Sequence, residues 1–194
     1  MDMKIKNLTQ KLVPEAPALV LDHSVHPEKA AEAGREVLQG LMKNFEGYFG
    51  AIKRVLKRGG LFLNHGITND TGWQKTPITQ FINRYVFPDG ELARISDVND
   101  AMEKAGFELL DVESLRRHYA LTLRRWVKSL EMHKDQAVRV AGDKIYRLWR
   151  LYMAGSAYYF EQGSINVYQV LVGHVGEPLP IPLRRDILYR DTRR

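Results

Sequence analysis

The sequence predicts an α/β fold in which a long helical insertion stands between the last strand and the rest. Three observations carry that prediction. Apolar residues at helical spacing from Phe45 to Leu56 run into a Gly59-Gly60 stop and then the short apolar run Leu61-Phe62-Leu63. The same order recurs once, with a helix ending at Lys104, a stop at Gly106 and a strand from Phe107 to Val112. Between that strand and the β-rich segment Ile165 to Val172 lies a helical stretch from about Leu115 to Gln162.

The chain has 194 residues, 44% of them hydrophobic and 27% charged, which is the composition of a folded protein rather than a disordered one. It contains no cysteine, so disulfides, thiolate metal sites and cysteine nucleophiles are excluded. The longest stretch free of Asp, Glu, Lys and Arg is Gln162 to Gly176, shorter than the roughly 18 apolar residues a membrane helix needs and interrupted by Asn, Gln and His. The first residues are basic, but no apolar segment of signal-peptide length follows them. The expectation is a soluble, intracellular protein.

Residues 1–40 carry the weakest pattern. Ala18-Leu19-Val20-Leu21 reads as a short buried strand, and Pro27 to Leu38 as a helix opened by its proline. From Phe45 the helix, the Gly-Gly stop and the strand Leu61–Leu63 together predict a unit with a parallel strand. Asp97 is positioned to cap the helix that runs through Asn99 to Lys104. In the insertion, Leu115, Tyr119, Leu123, Trp126 and Leu130 share one helical stripe, and Ile145, Leu148, Trp149, Tyr152, Met153 and Ser156 share another. These stripes predict two helices with their aromatic residues inside. The tail from Gly176, with Pro178, Pro180 and Pro182, reads as extended or loose. No internal repeat is visible.

Charge is unevenly placed. Between Leu115 and Arg150 stand ten Lys or Arg against three acids, a surplus of seven in a chain whose formal net charge is +6. Such a local field favours an anionic surface, and a solvated helix face is the plain alternative. There is no GxGxxG, no GxxxxGK[ST] and no GxSxG, so a phosphate-cradling loop and a hydrolase elbow are both missing. His23 and His26 are three apart but lack a third ligand at metal spacing, and no metal is expected. Asp89-Gly90 after Phe87-Pro88 is a turn. His65 differs by its place at the carboxyl end of the Leu61–Leu63 strand, where ligands collect in open α/β sheets. A histidine there either holds an anion or moves a proton near neutral pH, or simply bonds its own loop.

Several ordered runs resemble one family. Gly59-Gly60-Leu61-Phe62-Leu63-Asn64-His65-Gly66-Ile67-Thr68 is similar to the strand and loop of cyclopropane-fatty-acyl-phospholipid synthases and the related mycolic acid cyclopropane synthases. Phe81-Ile82-Asn83-Arg84-Tyr85-Val86-Phe87-Pro88-Asp89-Gly90-Glu91-Leu92 resembles their F-I-x-x-Y-x-F-P-x-G-x-L run. His118-Tyr119-Ala120, Thr122-Leu123, Trp126 and Arg150-Leu151-Tyr152-Met153 also match, as do Phe160 and Gln169. The likeness covers about Lys43 to His174.

The resemblance implies a partial class I methyltransferase (Rossmann-like) sheet with a helical lid insertion before the last strand. It implies division of the chain into 1–40, an unrelated or remnant leader; 41–114, part of the sheet; 115–163, a lipid-covering insertion; 164–175, the last strand; and 176–194, a basic tail. The implied activity is transfer of a methylene from S-adenosylmethionine to a cis double bond of a phospholipid acyl chain, with bicarbonate as the base. His65, Ile67 and Tyr152 stand at three of the family's bicarbonate-holding positions, as catalytic residues by resemblance. Tyr85, Phe87, Tyr119 and Trp126 are candidates for the substrate pocket, where aromatic faces steady positive charge and an apolar wall keeps water from a carbocation. The implied partner is the membrane phospholipid surface, met from the cytoplasmic side, and no nucleic acid is expected.

The chain departs from the family pattern upstream. The glycine-rich cofactor loop, the acid after the second strand and the F-E-H-V run are missing, and Leu38 and Gln39 stand where that run has Glu and His. No cofactor-binding residues are therefore expected to be retained. The expectation is a truncated chain, inactive alone, with an exposed edge at Leu61–Leu63. Its missing half would come from another chain or from a homo-oligomer. A non-catalytic basic lipid-surface or protein-binding module is one alternative, and a methyltransferase giving a methyl-branched or hydroxylated acyl product is the other.

Overall fold

The computed structural model describes residues 19–20, 45–70, 72, 76–87 and 92–185. The expected helix from Pro27 to Leu38, the pair His23 and His26 and the turn at Asp89-Gly90 lie outside the described residues. The elements are β1 (Leu19–Val20), α1 (Phe45–Val55), β2 (Leu61–Asn69), α2 (Pro77–Tyr85), α3 (Ile95–Lys104), β3 (Phe107–Ser114), α4 (Arg116–Met132), α5 (Lys134–Ala141), α6 (Asp143–Gln162) and β4 (Ile165–His174).

Four strands form one sheet in the order β1-β2-β4-β3. The expected short strand is present as Leu19–Val20. β4 lies antiparallel between β2 and β3, pairing from Leu61↔Gly173 to Asn69↔Ile165 on one side and from Phe107↔His174 to Ser114↔Tyr168 on the other. A bulge between Leu109 and Asp111 lets β3 follow the twist. β2 therefore pairs with no parallel strand among the described residues, its one parallel bridge being the isolated Asn69–Arg94 pair, which corrects the parallel unit expected from the helix-stop-strand order. β2 and β3 do run parallel to each other, but β4 separates them. A helix that leads into a strand says nothing about which later strand will lie beside it.

β2 is also longer than the apolar run that announced it. Its nine residues continue through Asn64, His65 and Gly66, because β4 offers a partner at every position. His65 thus sits in the middle of a strand rather than at its end. The bare edge expected at Leu61–Leu63 is also corrected, since Leu63 and Phe62 pair with Leu19 and Val20 of β1.

Side chains alternate across the strands and give the sheet two cores. On one face Phe62, Val170 and Val172 meet Tyr48, Phe49 and Ile52 of α1 and Val98 and Met102 of α3. On the other face Ile165 and Val167 meet Ala120 and Leu123 of α4 and Ala157 and Phe160 of α6. Full burial of each large side chain contributes about 1.5–3 kcal/mol. The His174 Nε2–H donates to the Leu56 carbonyl at 3.0 Å, tying the end of β4 to the end of α1.

The insertion holds three helices where the apolar stripes predict two, the short α5 having no fully buried residue. Arg124 grips Glu161 through two hydrogen bonds of 2.8 and 2.6 Å, and Arg150 reaches Glu131 at 2.5 Å, so ion pairs run along the α4–α6 seam. Arg116 donates to the carbonyls of Phe160 at 2.6 Å and Glu161 at 3.1 Å, satisfying acceptors the helix leaves free. Gly163 then ends α6 at φ 85°, in the left-handed region. Asp97 does not cap α3. Arg94 holds that position, and Asp97 lies in the first turn bonded to the Arg94 guanidinium. No helix among the described residues is long and apolar enough to cross a membrane.

Candidate active site

Odd-numbered residues of β2 face the insertion, which places His65 and Ile67 on the side of α4 and α6. His65 lies opposite Gln169 of β4. Its Nε2 is 2.8 Å from the Tyr119 hydroxyl, and the two rings are 5.8 Å apart. Tyr119 reaches this position because it stands on the inward stripe of α4, one turn before the buried Leu123, with its ring 5.6 Å from that of Phe160. Partial burial pushes the His65 imidazole below its ordinary value of 6.5 and the Tyr119 phenol above 10.0. At neutral pH the pair is therefore a neutral imidazole against a protonated phenol. The hydroxyl donates to Nε2 in one tautomer and accepts from it in the other.

A second aromatic group lies on α6. Tyr152 packs edge-on against Phe87 at 5.7 Å and against Trp149 at 5.4 Å. Burial raises its phenol, and a hydrogen bond with the buried Ser156 partly offsets this, so it too stays protonated near neutrality. α2 is braced against α6 by the Thr76 hydroxyl, 2.7 Å from that of Tyr159, while a capping box between Thr76 and Thr79 starts the helix.

The candidates named from sequence thus fall into groups. His65 and Tyr119 are joined by a hydrogen bond, and Phe87 and Tyr152 by ring contact. Ile67 is 42% exposed two residues beyond His65 on the same face of β2. Tyr85 lies apart, its ring tilted against that of Phe81 with the Arg84 guanidinium 5.4 Å over it, and it is 45% exposed. Trp126 follows the Tyr119 stripe two turns on but is 53% exposed, which corrects the expectation of aromatics buried along the whole stripe. Ser156 and the Thr76–Tyr159 bond were not legible as site features, because single hydroxyls on helices carry no signal of their partner.

This arrangement offers a neutral proton acceptor, protonated phenols able to donate to an anion, and ring faces that repel water. It offers no cradle for a nucleoside. Among the described residues no glycine-rich turn joins a strand to a helix N-terminus in the manner of a dinucleotide or sulfonium site, and no cluster of His, Asp and Glu suits a metal.

Comparison with known proteins places this geometry. The family model "Mycolic acid cyclopropane synthetase" matches residues 37–170. A probable fatty acid methyltransferase of Pseudomonas putida is 42% identical over 151 residues, covering 73% of this chain and 36% of the relative. Cyclopropane mycolic acid synthase 3 of Mycobacterium tuberculosis is 34% identical over 138 residues, covering 66% of this chain and 48% of the relative. The solved cyclopropane synthase MmaA2 of the same organism superposes with a TM-score of 0.63 at 30% identity, over 66% of this chain and 49% of that one. Mycolic acid cyclopropane synthase CmaA1, solved with SAH and CTAB, gives 0.63 at 28% identity over 70% and 52%. The chain spans between about a third and a half of the length of these relatives. Its sheet is part of the Rossmann-like class I methyltransferase fold, and the chain belongs to the mycolic acid cyclopropane synthetase family of S-adenosylmethionine-dependent enzymes.

Proposed function

We propose that this chain supplies the acyl-covering and proton-handling half of a lipid methyltransferase. The enzyme would convert a cis double bond of a membrane phospholipid acyl chain into a cyclopropane. The observation that carries the reading is the His65–Tyr119 hydrogen bond of 2.8 Å, set between β2 and the aromatic insertion. S-adenosylmethionine is the family's methyl donor. The described residues do not fit it, so its site is assigned to residues outside them, in this polypeptide or in a partner, and the chain without that half is read as inactive.

The roles left to this chain follow from its chemistry. Aromatic faces of Tyr119, Tyr152 and Phe87 steady positive charge on the acyl chain, and the apolar wall excludes water that would quench it. Ring closure needs a proton removed. A neutral imidazole at His65 takes it directly, or holds a bicarbonate that does so together with Tyr152 and the backbone at Ile67. The test is to supply the donor-binding half of a relative with this chain, unsaturated phospholipid vesicles and labelled S-adenosylmethionine. Cyclopropane acyl esters found only with both halves, and lost with His65→Ala, support the reading.

A second product has one observation in its favour. Two of the more similar relatives, at 42% and 40% identity, carry the name fatty acid methyltransferase rather than cyclopropane synthase. Sequence adds that the family's Glu is replaced at the Leu38 position. A methyl-branched ester in the same assay would select that reading.

A further inference from the structure

The insertion has an outward face that the candidate site does not use. On α4, Arg117, Leu121, Arg125, Lys128 and Met132 follow one another at steps of four, four, three and four, which keeps them on one stripe. That stripe lies opposite the one carrying Tyr119 and Leu123. All five side chains are exposed, Leu121 by 63% and Met132 by 66%, although both are large and apolar. On α6, Leu151 is exposed as well.

The charges here are arranged rather than merely plentiful. Glu131 and Glu161 are both engaged by arginines along the α4–α6 seam, through Arg150 and Arg124. Arg117, Arg125 and Lys128 make no ion pair or side-chain hydrogen bond among the described residues. The stripe therefore presents three unneutralised cations interleaved with two bare apolar side chains.

We infer that the outer α4 stripe Arg117–Leu121–Arg125–Lys128–Met132 is the surface by which this chain lies on an anionic phospholipid bilayer. The cations meet lipid phosphates while Leu121 and Met132 enter the acyl boundary. Charge complementarity selects the occupant, and the apolar pair selects a bilayer over nucleic acid. A phosphate backbone rewards the cations but gives Leu121 and Met132 no solvent to leave water for. The inference deepens the proposal above, in that it assigns the route by which a bilayer acyl chain comes within reach. α4 itself is only about 10 Å thick, so its inner face with Tyr119 stands one helix diameter from the lipid.

The test is co-sedimentation of the full chain with vesicles of equal parts phosphatidylglycerol and phosphatidylcholine. Wild type is expected to pellet with these, to bind pure phosphatidylcholine weakly, and to lose most binding when salt rises from about 0.1 M to about 1 M as the screening length falls from about 10 to about 3 Å. The triple variant Arg117→Glu, Arg125→Glu, Lys128→Glu should bind on the order of a hundredfold more weakly, since each basic residue near such a surface contributes about 1 kcal/mol. A control with the same charge change elsewhere, Arg58→Glu, Arg94→Glu, Lys104→Glu, should keep most of its binding. Leu121→Ser, Met132→Ser should weaken binding about tenfold or more while leaving the salt dependence in place. Circular dichroism confirms that each variant is folded. Wild-type binding by the stripe triple, equal losses in both triples, or an unaffected apolar pair with tight binding to a DNA duplex would each overturn the inference. None of these readouts requires turnover. Vesicle binding without acyl product sinks the proposed function alone, and product without stripe-dependent binding sinks the surface alone.

Discussion

Replacing Tyr119 by Phe removes one oxygen and leaves the packing in place. That oxygen lies 2.8 Å from His65 Nε2 in a partly buried site, so its loss should cost about 0.5–1.5 kcal/mol net. The ring keeps its neighbours, Phe160 at 5.6 Å and His65 at 5.8 Å, so no cavity opens. For a chain of this size about 1 kcal/mol lowers Tm by about 2–4 °C. Tyr119→Ala also loses the half-buried ring and should cost about 1–2 kcal/mol more. Calorimetric melting measures both, and long-range 1H–15N spectra of the His65 ring add an independent readout. In wild type His65 Nε2 is hydrogen-bonded to the Tyr119 hydroxyl, and Tyr119→Phe should move the Nε2 resonance. If Tyr119→Phe melts with wild type and the His65 spectrum is unchanged, the hydrogen bond is not formed in solution and the site as described is wrong.

Further outcomes follow from other parts of the molecule. Phe160 is 2% exposed and central to the core beneath α4 and α6, so Phe160→Ala should cost about 3–5 kcal/mol in urea unfolding. Gly163 ends α6 at φ 85°, and Gly163→Ala should cost about 1 kcal/mol by forcing a side chain into left-handed backbone. Burial lowers the His65 pKa from 6.5, so on acidification the unfolded chain takes a proton that the folded chain resists. The His65 contribution is therefore complete above about pH 6.5 and declines as pH falls below it, and His65→Gln should flatten that part of the stability profile. Titration calorimetry with S-adenosylmethionine should show weak or no binding to this chain alone, and a micromolar dissociation constant would contradict the placing of the donor site outside the described residues.

What could be read from sequence divides along physical lines. The helices α1, α4 and α6 were legible because their apolar residues repeat at the helical period, and glycines follow α1 and α6. The start of each strand was legible for the same reason, but not its length. His65 and Gly66 look like a loop in sequence and are strand in the structure, because pairing with Tyr168 and Gln169 overrides their weak preference. Asp97 was misread as a cap, since a carboxylate in the first turn gains from the helix field much as a cap does. α5 was missed because none of its residues is buried, which leaves no apolar stripe to detect. Trp126 was expected inside with the rest of its stripe, but it is 53% exposed while Leu130, one turn further on, is half-buried, and periodicity does not reveal how deep each position of a stripe lies. Within the site, residue types were legible and partnerships were not. His65 and Tyr119 stand 54 positions apart, and only the packing of α4 over β2 joins them.

The central claim is that His65 and the aromatic insertion act on an unsaturated acyl chain once a donor-binding half is present. Gas chromatography with mass spectrometry of acyl methyl esters tests it directly, using this chain, the donor-binding half of a relative, S-adenosylmethionine and vesicles of an unsaturated phosphatidylglycerol. The account predicts a cyclopropane ester heavier than the starting ester by one CH2, in the complete mixture and not with either half alone. Unchanged esters from a mixture in which the two halves associate and the donor is bound would contradict it.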